Sequence, residues 1–372
     1  MMKISKTNGA EYAPLGIYVH IPFCVRKCKY CDFVSYEGKS LAEQQSYVNS
    51  VCKEIEDKAK FYDNKYIVDT VFVGGGTPTV LKADDLARIL KAIKTNFKCE
   101  LVEASFEANP GTITKEKLLE LKDAGFNRIS IGVQSFNDDI LNSLGRIHDS
   151  NEATAAVRLA LECGFNTNLD LMFGVPGQTI EIWKNTLTKA IKLNPNHISF
   201  YSLQLEEGTP LYENYRYGNL ELPSWEENRK MYHMALDMLK DAGYHHYEIS
   251  NASKPGFECR HNLKYWNLDE YLGIGEAAHS YINGKRTGED VSDPKGDFIF
   301  TKLRLIEGFD KSEYQDRFDI SFEDEFKDSY KSLLIDGLLV EKNGRIMFTK
   351  KGLDYTNPVM QSLLLCFNNL FN

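Results

Sequence analysis

The chain lacks any apolar run near the roughly 18 residues that a membrane-spanning helix needs. Residues Met1 to Leu15 hold no apolar h-region, so no signal peptide is expected there. Positive charge is short as well: 44 Lys and Arg face 53 Asp and Glu, for a net charge of −9. That balance excludes general nucleic-acid binding through phosphate neutralisation. A disulfide framework is missing too. Of eight cysteines, Cys52, Cys99, Cys163, Cys259 and Cys366 are scattered with no regular spacing, which suits a reducing cytoplasm. The expected location is therefore cytoplasmic, with peripheral membrane contact left open.

What is present is a packed globular composition, 42% hydrophobic and 26% charged over 372 residues. That length accommodates one large domain and a smaller one, expected at 1–250 and 251–372. The organising stretch is Gly16 to Phe33, where Cys24, Cys28 and Cys31 stand as C-x3-C-x2-C directly after the alternating run Ile17–Ile21. Three thiolates on one loop can hold three corners of an iron–sulfur cube and leave the fourth iron open. Three ordinary free cysteines, or a zinc site short of one ligand, are the alternatives. Zinc motifs more often bring a second C-x2-C pair, and none follows here.

From Gly16 to about Gln204 strand-like and helical patterns alternate. The strand-like runs are Ile17–Ile21, Val68–Val73, Val102–Glu107, Arg128–Gly132, Thr167–Met172 and His197–Leu203. Helical patterns at Leu41–Lys60, Lys82–Asn96, Lys115–Ala124, Asn151–Cys163 and Ile180–Leu193 separate them. Such alternation implies a parallel sheet with right-handed crossovers, either doubly wound or a partial barrel. Its site belongs at the carboxyl ends of the strands. Gly74-Gly75-Gly76-Thr77 follows the second strand, where exposed backbone N–H groups could take a carboxylate. Glu107, Gln134 and Asp170 end or interrupt apolar strands, which implies a ligand or a buried polar network.

Beyond Leu205 the alternation stops. A long helix is expected over Trp225–Ala242, a strand over Tyr244–Ile249 and a linker over Ala252–Gly256. Then comes Cys259-Arg260-His261-Asn262-Leu263-Lys264-Tyr265-Trp266. A histidine among aromatic residues can ligate haem iron, with Cys259 a rival ligand; a hydrogen-bonded structural histidine is the plain alternative. In the last segment Lys342-Asn343-Gly344 separates two strand-like runs, which reads as a hairpin. Helices plus this wing look winged-helix-like, but Glu323, Asp324, Glu325 and Asp328 make the helix acidic, so a lid or docking surface is expected instead of DNA binding.

The three-cysteine spacing, preceded by Tyr18-x-His-Ile-Pro-Phe-Cys24, resembles the radical S-adenosylmethionine (SAM) proteins. Within them it is most similar to the oxygen-independent coproporphyrinogen III oxidase family, and to that family's haem-chaperone branch. The resemblance covers nearly the whole chain. It implies an α/β fold, a partial (β/α)6 barrel with a smaller C-terminal α+β domain. It implies a [4Fe–4S] cluster on Cys24, Cys28 and Cys31, and SAM at Tyr18, Gly75, Glu107, Gln134, Arg146 and Asp170, with Tyr30, Gly76 and Thr77 beside them. His261-Asn262-x-x-Tyr265-Trp266 matches a motif tied in that branch to haem, which makes His261 the expected haem ligand. The implied partners are haem and apo-haemoprotein recipients such as respiratory-chain haem proteins. The oxidase pattern departs at Phe33, where a fourth cysteine would stand, and in the short segment before Tyr18. Both departures point away from decarboxylation of porphyrinogen propionates by a SAM-derived radical, which remains the alternative function.

Overall fold

The computed structural model describes residues 5–7, 10–62, 64–287 and 293–368. Its core alternates β1 (Ala10–Ile21), α1 (Leu41–Tyr62), β2 (Tyr66–Gly75), α2 (Ala83–Asn96), β3 (Cys99–Ala108), α3 (Lys115–Ala124), β4 (Arg128–Gln134), α4 (Ser150–Glu162), β5 (Asn166–Phe173), α5 (Ile180–Leu193) and β6 (His197–Ser202). Each of β1 to β5 pairs in parallel with the next in sequence. Strands buried on both faces need apolar residues on both, and Val68, Val71 and Val73 of β2 are wholly enclosed. The helices start and stop where local chemistry dictates. Asp149 and Glu152 form a capping box for α4, and Gly125 ends α3 at φ 108°, a left-handed value that favours glycine.

After α6 (Trp225–Asp241) the sheet continues through β7 (His245–Glu248) and β8 (Asn251–Ser253). The segment expected to open a linker at Ala252 is therefore a buried strand: Asn251, Ala252 and Ser253 pair antiparallel with β6 and with β7. Its polar and small residues read as loop, but their hydrogen bonds go to the sheet. A division at residue 250 cuts between these two paired strands. Helix α7 (Arg260–Asn267) leads to β9 (Tyr271–Ile274), which adds in parallel on the outer side of β1, followed by β10 (Tyr281–Ile282) and β11 (Lys285–Arg286). The result is a 12-stranded sheet ordered β7-β8-β6-β5-β4-β3-β2-β1-β9-β10-β11, with Ser5–Thr7 paired to β1. The two ends do not pair, so the barrel is open.

The C-terminal unit holds α8 (Pro294–Lys302), β12 (Phe309–Asp310), α9 (Lys311–Phe318), α10 (Phe322–Ile335), β13 (Leu339–Lys342), β14 (Arg345–Phe348) and α11 (Thr356–Asn368). Asn343 and Gly344 both take positive φ, 52° and 77°, as a two-residue hairpin turn requires. Phe298, Phe309, Tyr314, Phe322 and Phe326 pack edge to face into its aromatic core, Phe326 against Tyr314. Among the described residues no helix is long and apolar enough to cross a membrane.

Candidate functional site: a cavity at the carboxyl ends of the strands

The cysteine loop follows β1 and is tied to the rest of the barrel mouth by hydrogen bonds. Gly76 N–H donates to Ile21 O at 2.9 Å and Thr77 N–H to Phe23 O at 2.7 Å, which stitches the glycine run to the start of the loop. On the far side Arg26 donates to the carbonyls of Gly145 and Arg146 at 3.0 and 2.8 Å. Lys29 N–H donates to Leu144 O at 3.0 Å. Gly75 sits at φ 112°, and a Cβ there would lie 2.5 Å from the His20 ring, so only glycine fits. These bonds also use the backbone groups expected to hold a carboxylate: Gly75 N–H already donates to Glu107 Oε2 at 3.0 Å.

Cys24, Cys28 and Cys31 line one cavity of about 500 Å³ together with Tyr30, Gly75, Gly76, Thr77, Glu107, Gln134, Arg146 and Asp170. Every residue expected at the cluster and at SAM is thus in this wall, except Tyr18; His261, expected at haem, is not in it either. Tyr18 lines a second compartment of about 230 Å³ that shares Gly75, Glu107 and Asp170 with the first. The three thiols surround the cavity without converging: among the described residues no three His, Cys, Asp or Glu side chains could hold one metal ion.

Burial pushes the thiols of Cys24 and Cys31 up, the latter to about 11, so without a cationic partner they stay protonated. Arg146 supplies one positive charge, donating to Cys28 Sγ at 3.3 Å and also bonding Asn109 Oδ1 and Gly132 O. Its Nε is buried without a partner. The donor set and the cationic surround fit an anionic iron–sulfur cluster.

Across the cavity stand two carboxylates. Asp170 accepts from Asn168 at 2.8 Å and from Ser130 at 3.0 Å. Glu107 has no such escort beyond Gly75, and burial, then the Asp170 charge, pushes it up to about 8. Gln134 takes φ 62° at a register shift in β4, an uncommon conformation for a non-glycine residue, and accepts from Tyr201 Oη at 3.0 Å. Sequence reasoning missed Asn109, Ser130, Asn168 and Tyr201. Each is a polar residue in or just after an apolar strand, the same signal that marked Glu107.

A pH dependence follows for the ligand-free protein. Glu107 has an ordinary value near 4.5 and a folded value of about 8. Its contribution to stability is full below pH 4.5 and is lost as pH rises through about 8. The melting midpoint is expected to fall over that range, and Glu107→Gln to flatten the fall. An equally steep fall in Glu107→Gln would assign it to other groups.

His261, the expected haem ligand, takes the form of the alternative, a hydrogen-bonded structural histidine. It is 0% exposed. Its Nδ1 is bonded to Thr70 Oγ1 at 3.0 Å and its Nε2 to Tyr265 Oη at 2.9 Å. Phe72 stacks on the ring at 5.5 Å, and burial holds the imidazole neutral, down to about 3. Cys259 is also wholly buried, its thiol pushed up to about 12 by burial. In this arrangement neither residue can meet a haem iron, because a ligating atom needs a free lone pair and space beside it.

An open parallel barrel with a three-cysteine loop at its mouth defines a radical SAM protein. Residues 18–190 match the radical SAM superfamily and residues 296–355 the HemN C-terminal domain. Relatives named heme chaperone HemW include those of Haemophilus influenzae, 36% identical, with 94% of this chain and 98% of that protein covered, and Lactococcus lactis, 36% identical, with 95% and 98% covered. The relative of that name from Bacillus subtilis is 35% identical, with 93% and 98% covered. The chain belongs to this HemW family. Coproporphyrinogen III oxidase (HemN) from Escherichia coli, described as a radical SAM enzyme, superposes with a TM-score of 0.80 at 25% identity, covering 95% of this chain and 90% of that one. The superfamily implies a [4Fe–4S] cluster and SAM.

Proposed function

We propose that this protein is a haem chaperone that binds haem and delivers it to apo-haemoproteins, respiratory-chain haem proteins among them, from the cytoplasm. The observation that carries the reading is similarity over 93–95% of the chain to several relatives named heme chaperone HemW, at 32–36% identity. In this reading Cys24, Cys28 and Cys31 hold the [4Fe–4S] cluster. SAM lies among Tyr18, Tyr30, Gly75, Gly76, Thr77, Glu107, Gln134, Arg146 and Asp170. The bound cluster supplies one-electron reduction of SAM. The protein's own residues do the rest. Glu107 and Asp170 would offer carboxyl groups to the cationic sulfonium, whose charge would draw the proton off Glu107, and Arg146 would offset the thiolates. The loop stitched through Gly76 and Thr77 keeps the cavity wall in place.

The likeness to HemN favours a second reading, oxidative decarboxylation of porphyrinogen propionates. Phe33, exposed at the cavity edge where the oxidase pattern has cysteine, speaks against it. Anaerobic incubation of the reconstituted protein with coproporphyrinogen III and SAM separates the two. The expected result is no release of carbon dioxide, with haem bound by the same preparation. Robust SAM-dependent release would establish the oxidase.

A further inference from the structure

Helix α7 carries the His-Asn-x-x-Tyr-Trp segment, with His261 and Lys264 buried and Arg260 exposed. It is fastened inside the open barrel against β1, β2 and β3. The β3 carboxylate of Glu103 accepts from the backbone N–H of Arg260 at 2.8 Å and of His261 at 3.2 Å, at a helix start whose own Cys259 supplies no side-chain cap. Thr70 and Asp69 of β2 take His261 and Lys264, the latter at 2.8 Å with the lysine side chain 6% exposed. On β1, a Cβ at Gly16 would stand 2.9 Å from Lys264 Cδ and 3.1 Å from His261 Cε1, so the helix rests where only glycine leaves room.

This fastening aims two side chains of the motif upward. Asn262 borders both compartments of the cavity, and Tyr265 borders the lower one beside Tyr18, Gly75, Glu107 and Asp170. An amide and a phenol are neutral groups that both donate and accept hydrogen bonds, the chemistry that ribose hydroxyls and an adenine amine require. His261 sits below them with both nitrogens engaged, one on the barrel wall and one on the Tyr265 hydroxyl.

We propose that the motif acts on SAM from inside the barrel: Asn262 and Tyr265 are its ligand-facing groups, and His261 is a positioning residue that holds the Tyr265 hydroxyl at the cavity floor. Haem, which cannot reach the imidazole, is then held by other residues. The proposal rests on the reading of this cavity as the SAM site.

The test uses the full chain, anaerobically reconstituted, with SAM affinity from equilibrium dialysis and haem binding from absorption titration. Tyr265→Phe removes one oxygen and is expected to weaken SAM about tenfold, with iron content and haem spectrum unchanged and the melting midpoint lowered by the hydrogen bond lost to His261. Thr70→Val, which frees the imidazole from the wall, should weaken SAM in the same direction. His261→Gln, which keeps a donor and an acceptor, should restore affinity towards the wild type relative to His261→Leu. All His261 variants should keep the haem spectrum. If Tyr265→Phe does not fold, Asn262→Ala on the cavity wall carries the same expectation. Wild-type SAM affinity in folded Tyr265→Phe or Asn262→Ala overturns the proposal. So does loss of a low-spin haem spectrum in folded His261→Gln with SAM binding intact, which would make His261 the ligand. If the wild-type protein itself fails to bind SAM, the assignment of the cavity falls first, and the two failures are thereby distinguished.

Discussion

Changing Cys24, Cys28 and Cys31 together to alanine is expected to take iron from about four per chain to almost none after anaerobic reconstitution. The expectation rests on geometry as much as on spacing. The three thiols surround one cavity, whereas Cys52, Cys99 and Cys163 lie outside its wall and Cys259 is sealed beneath it. The loop carries little of the core, with Val25 57% and Phe33 63% exposed, so the variant should fold and melt near the wild type. Its brown colour and charge-transfer absorption should vanish while far-ultraviolet circular dichroism is retained. Full iron content in the folded triple variant would remove the basis for the site.

The largest effect on stability is expected at Glu103. This residue is 4% exposed and caps α7, with Arg128, itself 2% exposed, close by on the adjacent strand β4. Burial opposes the Arg128 charge, the carboxylates of Glu103 and Asp170 favour it, and its Nε has no hydrogen-bond partner among the described residues. Glu103→Ala leaves a buried cation short of its counter-charge and two helix N–H groups unpaired. Losses on this scale are roughly 3–5 kcal/mol. Glu103→Gln, which can still cap the helix, should lose less. Denaturant unfolding of the three proteins measures this, and a loss under about 1 kcal/mol in Glu103→Ala would show that α7 is held by its other contacts without the Glu103 cap.

Glu103 also marks where the sequence stopped being readable. It sits in Leu-Val-Glu-Ala-Ser-Phe-Glu, and nothing local distinguishes it from the solvent-facing glutamate of an alternating strand. Its role depends on a helix more than 150 residues away. The same is true of Gly16, whose missing side chain matters only because Lys264 and His261 press against it. By contrast β2 to β6 were legible to within two or three residues, because parallel strands must be apolar on both faces and loops must supply glycine or polar caps. Glu107, Gln134 and Asp170 were legible for the complementary reason that polar groups at the ends of such strands are costly unless used.

The haem motif was legible as a motif but not as a place. Helix α7 spans only eight residues, short of the roughly 11–18-residue window over which a helical period stands out from a loop, so the helix and the burial of His261 were hidden. The glycine run illustrates a smaller miss. Its backbone N–H groups face the cysteine loop and Glu107, which a strand-then-glycine pattern cannot reveal.

The chaperone reading is tested most directly by the kinetics of haem leaving the protein. Haem-loaded protein is mixed with rising concentrations of a respiratory-chain b-type apocytochrome, and transfer is followed by the shift of the Soret band. Handover through a complex of the two proteins gives a rate that climbs with acceptor concentration above the rate of spontaneous haem loss, and this is the expected result. A rate that stays at the spontaneous value at every acceptor concentration, in a protein that releases carbon dioxide from coproporphyrinogen III, would contradict it.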